Sequence, residues 1–317
     1  MFHGSTDEAT LARLRARVGK IHLRQRLGIE TDYERRIFGQ GRTLFHIENW
    51  YSLRSIIRGS LRLVLMLGRG RRNARRIVLR RNRIPVPGLP RAFGNYRILQ
   101  ISDLHLDMAA DFPHVLIEAV RQVDYELCVL TGDYRAETFG PYTAALDALR
   151  QLRTHLRGDV YAILGNHDSL CMVPDMEDMG IQVLLNEQVP IERAGEVIHL
   201  AGIDDPHYYR ADNLEKAADA IPDGAISVLL AHSPEIYRQA AHAEFNVMLC
   251  GHTHAGQICL PGGLPVLCNA RCPREYCRGS WTYHGMAGYT SAGSGSCVVD
   301  VRINCPPEIT LHQLQCA

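Results

Sequence analysis

The stretch at residues 247–254 constrains the fold of this chain more than any other. Four apolar residues are followed by Gly251 and then by two histidines, His252 and His254, one residue apart. A short apolar run that stops at a glycine predicts a buried strand, and the histidines come directly after its end. Because residues i and i+2 of an extended segment point the same way, both imidazoles can reach one place.

Four other segments repeat this layout, at residues 98–105, 127–133, 160–168 and 226–232. In each, an apolar run is followed by a carboxylate, an amide or an imidazole, and helical segments separate the first three runs. Alternating strands and helices predict an α/β protein with a mainly parallel sheet, whose site lies at the carboxyl ends of the strands. The polar residues at the five predicted strand ends are Asp103, His105, Asp133, Asn166, His232, His252 and His254.

These seven side chains offer hard oxygen donors and borderline nitrogen donors. Such a set suits Mn²⁺, Fe²⁺, Zn²⁺ or Mg²⁺ and not a soft thiolate site. Seven donors are too many for one tetrahedral ion, but they fit two ions that share a carboxylate. Ion pairs of this kind lie about 3.5–4 Å apart and hold the attacking and leaving oxygens of a displacement at phosphorus. We therefore expect two divalent metal ions, Mn²⁺ first among them.

Together these motifs resemble the calcineurin-like metallophosphoesterases. The resemblance rests on residues 103–105, 132–133, 165–168, His232 and 251–254, and it spans about residues 96–314. It implies a four-layer α/β/β/α sandwich. It also implies two metal sites that share Asp133. The first would be formed by Asp103, His105, Asp133 and His254, and the second by Asp133, Asn166, His232 and His252.

The same resemblance implies catalytic roles for two further residues. His167 is expected to be the histidine without a metal that stabilises or protonates the leaving oxygen, and Asp168 is expected to orient it. The alternative is that His167 only supports the neighbouring ligand. A catalytic role is favoured because His167 follows a ligand at a strand end.

Segments at 202–206, 229–234, 255–258 and 306–309 resemble a narrower group, the YaeI-type phosphodiesterases. Some relatives of that group cleave the pyrophosphate of UDP-2,3-diacylglucosamine. This resemblance implies hydrolysis of a phosphodiester or pyrophosphate bond in a membrane lipid substrate. A soluble nucleotide or cyclic nucleotide is the alternative substrate. A non-enzymatic binding module is a further alternative, which the presence of all seven ligands disfavours.

The first 95 residues predict a basic helical extension to the phosphoesterase domain at 96–317. Residues 1–97 hold 22 Lys and Arg against 6 Asp and Glu, and the rest of the chain has the opposite excess. Arg54, Arg58 and Arg62 form one stripe of a helix predicted at 44–67. Basic amphipathic helices suit an anionic membrane surface, which we expect residues 1–83 to contact. The alternative is that these helices pack on the acidic part of the chain.

The chain lacks several sequence features that would indicate other partners or another location. No nucleic-acid module accompanies the arginines, so no nucleic acid partner is expected. We find neither a signal-peptide pattern nor a membrane-spanning stretch, and all ten cysteines follow residue 97. These features favour a cytoplasmic, peripheral membrane protein with free thiols. Cys259, Cys268, Cys272 and Cys277 fit no standard zinc spacing, and a small structural metal site is the alternative.

Three further expectations concern the local structure. The first predicted helix stops at Gly28, and prolines and glycine at 85–90 predict a stiff linker. Strands near 181–185 and 189–193 are expected to pair with each other. The last strands are predicted near 297–303 and 308–314.

Overall fold

A computed structural model describes residues 8–40 and 51–317, with side chains described outside 36–40 and 51–53. Its helices are α1 Glu8–Val18, α2 Lys20–Gln40, α3 Tyr51–Leu63, α4 Leu67–Ala74, α5 Phe112–Arg121, α6 Thr143–Arg153, α7 Val173–Asp178, α8 Leu214–Ala218 and α9 Tyr237–His242. Its strands are β1 Val78–Val86, β2 Arg97–Ile101, β3 Leu127–Thr131, β4 Val160–Ile163, β5 Gln182–Val183, β6 Glu187–Arg193, β7 Glu196–Gly202, β8 Ser227–Leu230, β9 Val247–Cys250, β10 Cys259–Leu260, β11 Leu264–Pro265, β12 Gly279–Tyr283, β13 Met286–Thr290 and β14 Glu308–Cys316.

Two six-stranded sheets form the centre of the described structure. The first sheet has the order β1-β14-β2-β3-β4-β5, and β2 to β5 are parallel. The second sheet has the order β12-β13-β9-β8-β7-β6, and β7, β8, β9 and β13 are parallel. Parallel strands bring their carboxyl ends to one edge of a sheet, which is where the predicted ligands begin.

Side chains alternate between two apolar cores on either face of the first sheet, as the period of a strand requires. Ile98 and Val129 face the second sheet, and Leu99 and Leu130 face the helices α5, α6 and α7. A third core lies between the second sheet and α8 and α9. The order helix, sheet, sheet, helix confirms the predicted four-layer sandwich.

The predicted pairing of 181–185 with 189–193 is wrong. β5 pairs with β4 in the first sheet, whereas β6 pairs with β7 in the second. The chain crosses between the sheets at Asn186, which has a left-handed φ of 58°. Its side-chain oxygen accepts the backbone N–H groups of Asp204 and Asn213 and so holds the crossing in place.

The strand expected at 297–303 is also wrong. This segment is a loop that makes a single bridge, between Ile303 and Ile258. Val299 and Val301 pack with Leu61 of α3, which explains their apolar character without a sheet. The strand β14 extends two residues beyond the expected end at 314.

The N-terminal part differs from its prediction in three places. Gly28 lies inside α2, and the break falls at Gly19, whose φ is 82°. Residues 44–50 of the second predicted helix lie outside the described residues, and its remainder ends at Leu63. The expected linker contains the end of β1, where Pro85 is tolerated because β1 is an edge strand.

The strand β1 corrects the division of the chain at residue 95. It pairs with β14 over its whole length, from Val78 opposite Glu308 to Val86 opposite Cys316. Residues on both sides of the expected boundary therefore build the same sheet. Among residues 8–40 and 51–317, none of the helices has the length and hydropathy needed to span a bilayer.

The helices α1 and α2 pack on the acidic part of the chain. Arg13 contacts Glu177 and Asp178, and Arg17 contacts Glu177 and Glu187. For these two helices, the alternative of packing on the acidic part describes the structure.

Arg26 of α2 is the buried member of this basic set. It is fully buried, contacts Asp204 and Glu30, and lies 3.4 Å from the ring centroid of Tyr209. Burial alone would raise the pKa of Asp204, but the charge of Arg26 and a hydrogen bond from His22 bring that pKa below its usual value. The pair therefore depends on both partners.

We predict that Arg26→Met lowers the free energy of unfolding by about 3–5 kcal/mol, because it leaves the Asp204 carboxylate buried without its cation. Arg13→Met is the matched control. Its ion pair with Asp178 is exposed, so a loss of about 0–1 kcal/mol is expected. Urea unfolding measures both variants, and equal small losses would contradict the importance of the buried pair.

Candidate metal centre

All seven predicted ligands are buried, and they lie together where five strands end. Asp103 and His105 follow β2, Asp133 follows β3 and Asn166 follows β4. From the second sheet, one ligand follows β8 and two follow β9. These three are His232, His252 and His254.

The backbone at these strand ends is strained. Five of the seven ligands have left-handed φ angles between 41° and 71°, which are unfavourable for side chains with a Cβ. Such strain persists only where the surrounding structure enforces it, and it is concentrated at functional sites. The five residues are Asp103, His105, Asp133, His252 and His254.

Two glycines let these loops approach each other. A Cβ at Gly251 would lie 1.8 Å from the Ser102 hydroxyl oxygen, and a Cβ at Gly165 would lie 2.2 Å from Asp133 Oδ1. Gly251 and Gly165 must therefore be glycine, because the neighbouring loop leaves no room for a side chain at either position.

The donor atoms form two groups that share one carboxylate. The first group has His254 Nε2 3.5 Å from Asp103 Oδ1 and His105 Nε2 3.8 Å from Asp133 Oδ2. In the second group, His232 Nε2 lies 3.2 Å from Asp133 Oδ2. Each group is compact enough to surround a metal ion, and Asp133 belongs to both.

Asn166 joins the second group. Its Oδ1 lies 3.0 Å from His232 Nε2 and 2.8 Å from His252 Nδ1. The opposite nitrogen of His252 donates to the carbonyl oxygen of Asn269, so its Nδ1 is the nitrogen turned toward the group. The arrangement agrees with the ligand sets that the family resemblance implies.

Backbone carbonyls fix the orientation of two imidazoles. His105 Nδ1 donates to Arg135 O at 2.8 Å, and His232 Nδ1 donates to Thr131 O at 2.8 Å. Each contact leaves the Nε2 lone pair free for a metal. Such contacts behind a ligand set its tautomer and raise its affinity for the ion.

The electrostatics of the site suit divalent cations. Burial raises the pKa of Asp103 and raises that of Asp133 to about 7. Burial also lowers the pKa of His105 to about 3, so this imidazole is neutral and can bind a metal. Desolvated carboxylates beside neutral imidazoles lack compensating charge, which metal ions would supply.

His232 faces the negative charge of the Asp133 carboxylate. Burial lowers the pKa of His232, but the Asp133 carboxylate outweighs burial and raises that pKa to about 10. The same negative charge would favour a divalent cation beside these two side chains. The residues present therefore fit a bound metal pair.

His167 lies at the wall of the same site. Its backbone N–H donates to Asp133 Oδ1 at 2.9 Å, and its ring meets that of His105 edge to face at 5.0 Å between centroids. Its Nδ1 lies 3.5 Å from the Thr138 hydroxyl. Burial keeps the pKa of His167 well below its usual value, so the ring is neutral.

The position of Asp168 corrects the role expected for it. Its carboxylate accepts the backbone N–H groups of Asp133, Tyr134 and Gly165 at 2.7–2.9 Å. Asp168 therefore ties the loop after β3 to the loop after β4, and the Thr138 hydroxyl, not Asp168, lies beside the Nδ1 of His167. Adjacency in sequence was a poor guide here because consecutive side chains point in different directions.

Sequence reasoning missed several residues around the centre. The buried Arg302 donates to the His254 carbonyl oxygen at 3.1 Å, and its charge inside an apolar run was the available signal. The His207 ring lies 4.1 Å from that of His252, between centroids. The Cys297 thiol is near enough to His105 and His254 to join a metal group. No pattern in the sequence places these last two.

A cleft of about 340 Å³ opens beside the metal ligands. One wall carries Asp133, Asn166 and the imidazoles. The other wall is apolar and comes from three segments, with Ile57 on α3, and Val266 and Val299 among the loop residues. The centre is thus reached through a partly apolar passage.

Comparison with known proteins identifies this site. A family profile described as Calcineurin-like phosphoesterase matches residues 96–256, which include all seven ligands. The chain belongs to this family. It is accordingly a metal-dependent phosphoester hydrolase, with a two-sheet fold and clustered ligands typical of divalent metal sites.

Several curated relatives have similar sequences. The uncharacterized metallophosphoesterase YkoQ of Bacillus subtilis is 30% identical, over 72% of this chain and 86% of its own length. Phosphodiesterase YaeI of Escherichia coli is 26% identical, over 69% of this chain and 82% of its own length. A transmembrane protein with metallophosphoesterase domain from Danio rerio is 28% identical, over 72% of this chain. The match spans 55% of that last protein, so just over half of its length corresponds to this chain.

We predict that Mn²⁺ stabilises the protein, by about 2.7 kcal/mol at a free concentration one hundred times the dissociation constant. Asp133→Asn should abolish most of this gain and reduce the bound metal below two ions per chain, because Asp133 belongs to both groups. Calorimetric unfolding and elemental analysis measure the two quantities.

The control for this experiment is Asp107→Asn, because Asp107 is a partly buried carboxylate outside the ligand set that accepts the N–H of Ala136. It should keep the wild-type metal content. Identical unfolding of the wild type with Mn²⁺ and with a chelator would exclude the proposed centre.

Proposed function

We propose that the protein hydrolyses a phosphodiester or pyrophosphate bond in a lipid-linked substrate such as UDP-2,3-diacylglucosamine, with Mn²⁺ as the metal. The observation that carries this proposal is the cleft, in which metal ligands face an apolar wall. A substrate that joins a phosphate to an acyl chain matches both walls.

The apolar wall has the size and character to hold part of an acyl chain. Val298 and the buried Val299 line the cleft together with Val266 and Leu267, which are more than half exposed. Burying one such side chain against an acyl chain is worth about 1.5–3 kcal/mol. Contacts of this kind would place the phosphate of the substrate beside the metal ligands.

The chain's own residues would divide the work at phosphorus. Asp103, Asp133 and the ligand imidazoles would hold two divalent ions. Those ions would supply Lewis acidity at the attacking and leaving oxygens. The neutral ring of His167 offers an N–H donor to a phosphoryl or leaving oxygen, and the dry setting strengthens that hydrogen bond. Asp168 keeps the two loops that carry Asp133 and His167 in register.

A hydrolysis screen tests the substrate. Full-length protein with Mn²⁺ is offered detergent-dispersed UDP-2,3-diacylglucosamine, an aryl phosphodiester and cyclic nucleotides, and products are analysed by mass. We expect cleavage of the UDP-lipid at the pyrophosphate, with the highest kcat/KM of the three. Preference for a cyclic nucleotide would overturn the lipid proposal, and inactivity toward all three would favour a binding module.

The apolar wall can be tested separately. Val266→Asp should lower kcat/KM for the UDP-lipid by about tenfold or more, because it places a charge where an acyl chain would lie. Hydrolysis of the small aryl diester should change little, because that substrate has no acyl chain to contact the apolar wall. Equal losses with both substrates would count against an acyl-binding wall.

We predict that His167→Ala lowers kcat by about 10²–10⁴ while the metal content stays at the wild-type value. The expected effect of Asp168→Asn is different, because an amide there meets the N–H groups of Asp133 and Gly165 with one acceptor fewer. That variant should lose stability and metal together. Steady-state kinetics and elemental analysis distinguish the two, and wild-type turnover in His167→Ala would refute its catalytic role.

A further inference from the structure

The exposed apolar side chains of this protein are concentrated in two segments. The described residues include ten large apolar side chains that are exposed, and eight of them lie at 56–65 or at 260–267. The first segment contains the end of α3 and the turn after it, and the second contains the β10–β11 hairpin and the residues that follow. We call these two segments together the apolar rim.

Both segments of the apolar rim border the cleft at the metal centre. Ile57, next to the exposed Ile56, lines the cleft. Val266 and Leu267 also line it and are themselves more than half exposed. Two segments about 200 residues apart in sequence thus contribute apolar residues to one cleft.

The helix α3 packs on the protein by one side and still leaves the side chains of the apolar rim exposed. Leu61 and Ile57 on the inner side of α3 pack against Val299 and Val301. The side chains that remain outside include Leu63 at 85% and Leu65 at 90% exposure. Leu65 also has a left-handed φ of 56°, a conformation that leucine rarely adopts. Large apolar side chains that are exposed in two such groups beside a cleft are typical of a binding surface.

The charge beside the apolar rim identifies the partner. Arg58 and Arg62 on α3, and Arg69, Arg71 and Arg72 on α4, are exposed. These arginines differ from Arg13, Arg17 and Arg26 of α1 and α2, which contact carboxylates of the chain itself. Apolar side chains flanked by exposed arginine are the chemistry that binds an anionic bilayer.

We propose that the apolar rim docks on an anionic lipid bilayer, with the mouth of the cleft facing the membrane. This orientation rests on the proposed lipid-linked substrate, whose acyl chain would pass from the bilayer along the apolar wall toward the metal ligands. It also revises the expected membrane contact at residues 1–83. The contact is assigned to α3, α4 and the β10–β11 hairpin, and α1 and α2 are assigned to the protein's own acidic surface.

Vesicle sedimentation of the full-length protein tests this proposal. Phosphatidylcholine vesicles are compared with vesicles that also contain about 30 mol % phosphatidylglycerol. The wild type should bind the anionic vesicles and be released by added salt, because salt screens the arginines. Leu260→Asp/Leu264→Asp should weaken binding by about tenfold or more, and Leu63→Asp/Leu65→Asp should do the same from the other segment.

Val197→Asp is the matched control. Val197 is an exposed apolar residue near the start of β7, at the opposite end of that strand from the metal centre. The Val197→Asp variant should bind anionic vesicles as strongly as the wild type does. None of Leu63, Leu260 and Leu264 lines the cleft. The two double variants should therefore hydrolyse the aryl diester within about twofold of the wild-type rate, which would show that their metal centre is intact.

Three results would overturn the proposal: no binding of the wild type to anionic vesicles, unchanged binding of both double variants, or loss of a wild-type dimer in these variants without any vesicle binding. The last would assign the surface to a second copy of the chain. Vesicle binding without cleavage of UDP-2,3-diacylglucosamine would refute the substrate and keep the docking surface. Cleavage of dispersed UDP-2,3-diacylglucosamine without vesicle binding would keep the substrate and refute the docking surface.

Discussion

The concentration of buried carboxylates at the ends of the central strands is the constraint on which the rest of the structure depends. Asp103, Asp133 and Asp168 are all buried there, and burial raises the pKa of each. Asp168 accepts three backbone N–H groups, whereas Asp103 and Asp133 each accept one and also face imidazoles. The left-handed ligands and the glycines before them exist because five loops must converge on this small volume. The two sheets supply the rigidity that keeps those loops converged.

The fold and most of the site could be predicted because each predicted strand carries its signal locally. An apolar run and a polar residue are contiguous in sequence, and at three of the five strand ends a glycine stands between them, as at Gly132 and Asp133. The ligands' chemistry is equally local, since an imidazole or a carboxylate keeps its character wherever the chain folds. Parallel pairing of the strands then brings their carboxyl ends, and so the ligands, to one edge of each sheet.

The parts that could not be predicted depend on contacts between distant residues. The loop at 297–303 has the composition of a strand because Val299 and Val301 pack on α3, and nothing local distinguishes that from a place in a sheet. The crossing at Asn186 depends on backbone groups of Asp204 and Asn213. The contacts of Asp168 could not be predicted because two of its three partners, Asp133 and Tyr134, lie on the loop after another strand.

The pairing of β1 with β14 sets a lower limit on the unit that folds. β14 lies between β1 and β2, so its backbone is hydrogen-bonded on both sides. A fragment that began near Tyr96 would expose nine residues of β14 as a long open edge, which is a template for association with other chains. The family profile begins at that residue, yet the folded body includes the strand before it. Shortened versions of this protein should therefore retain residue 78 onward if they are to stay monodisperse.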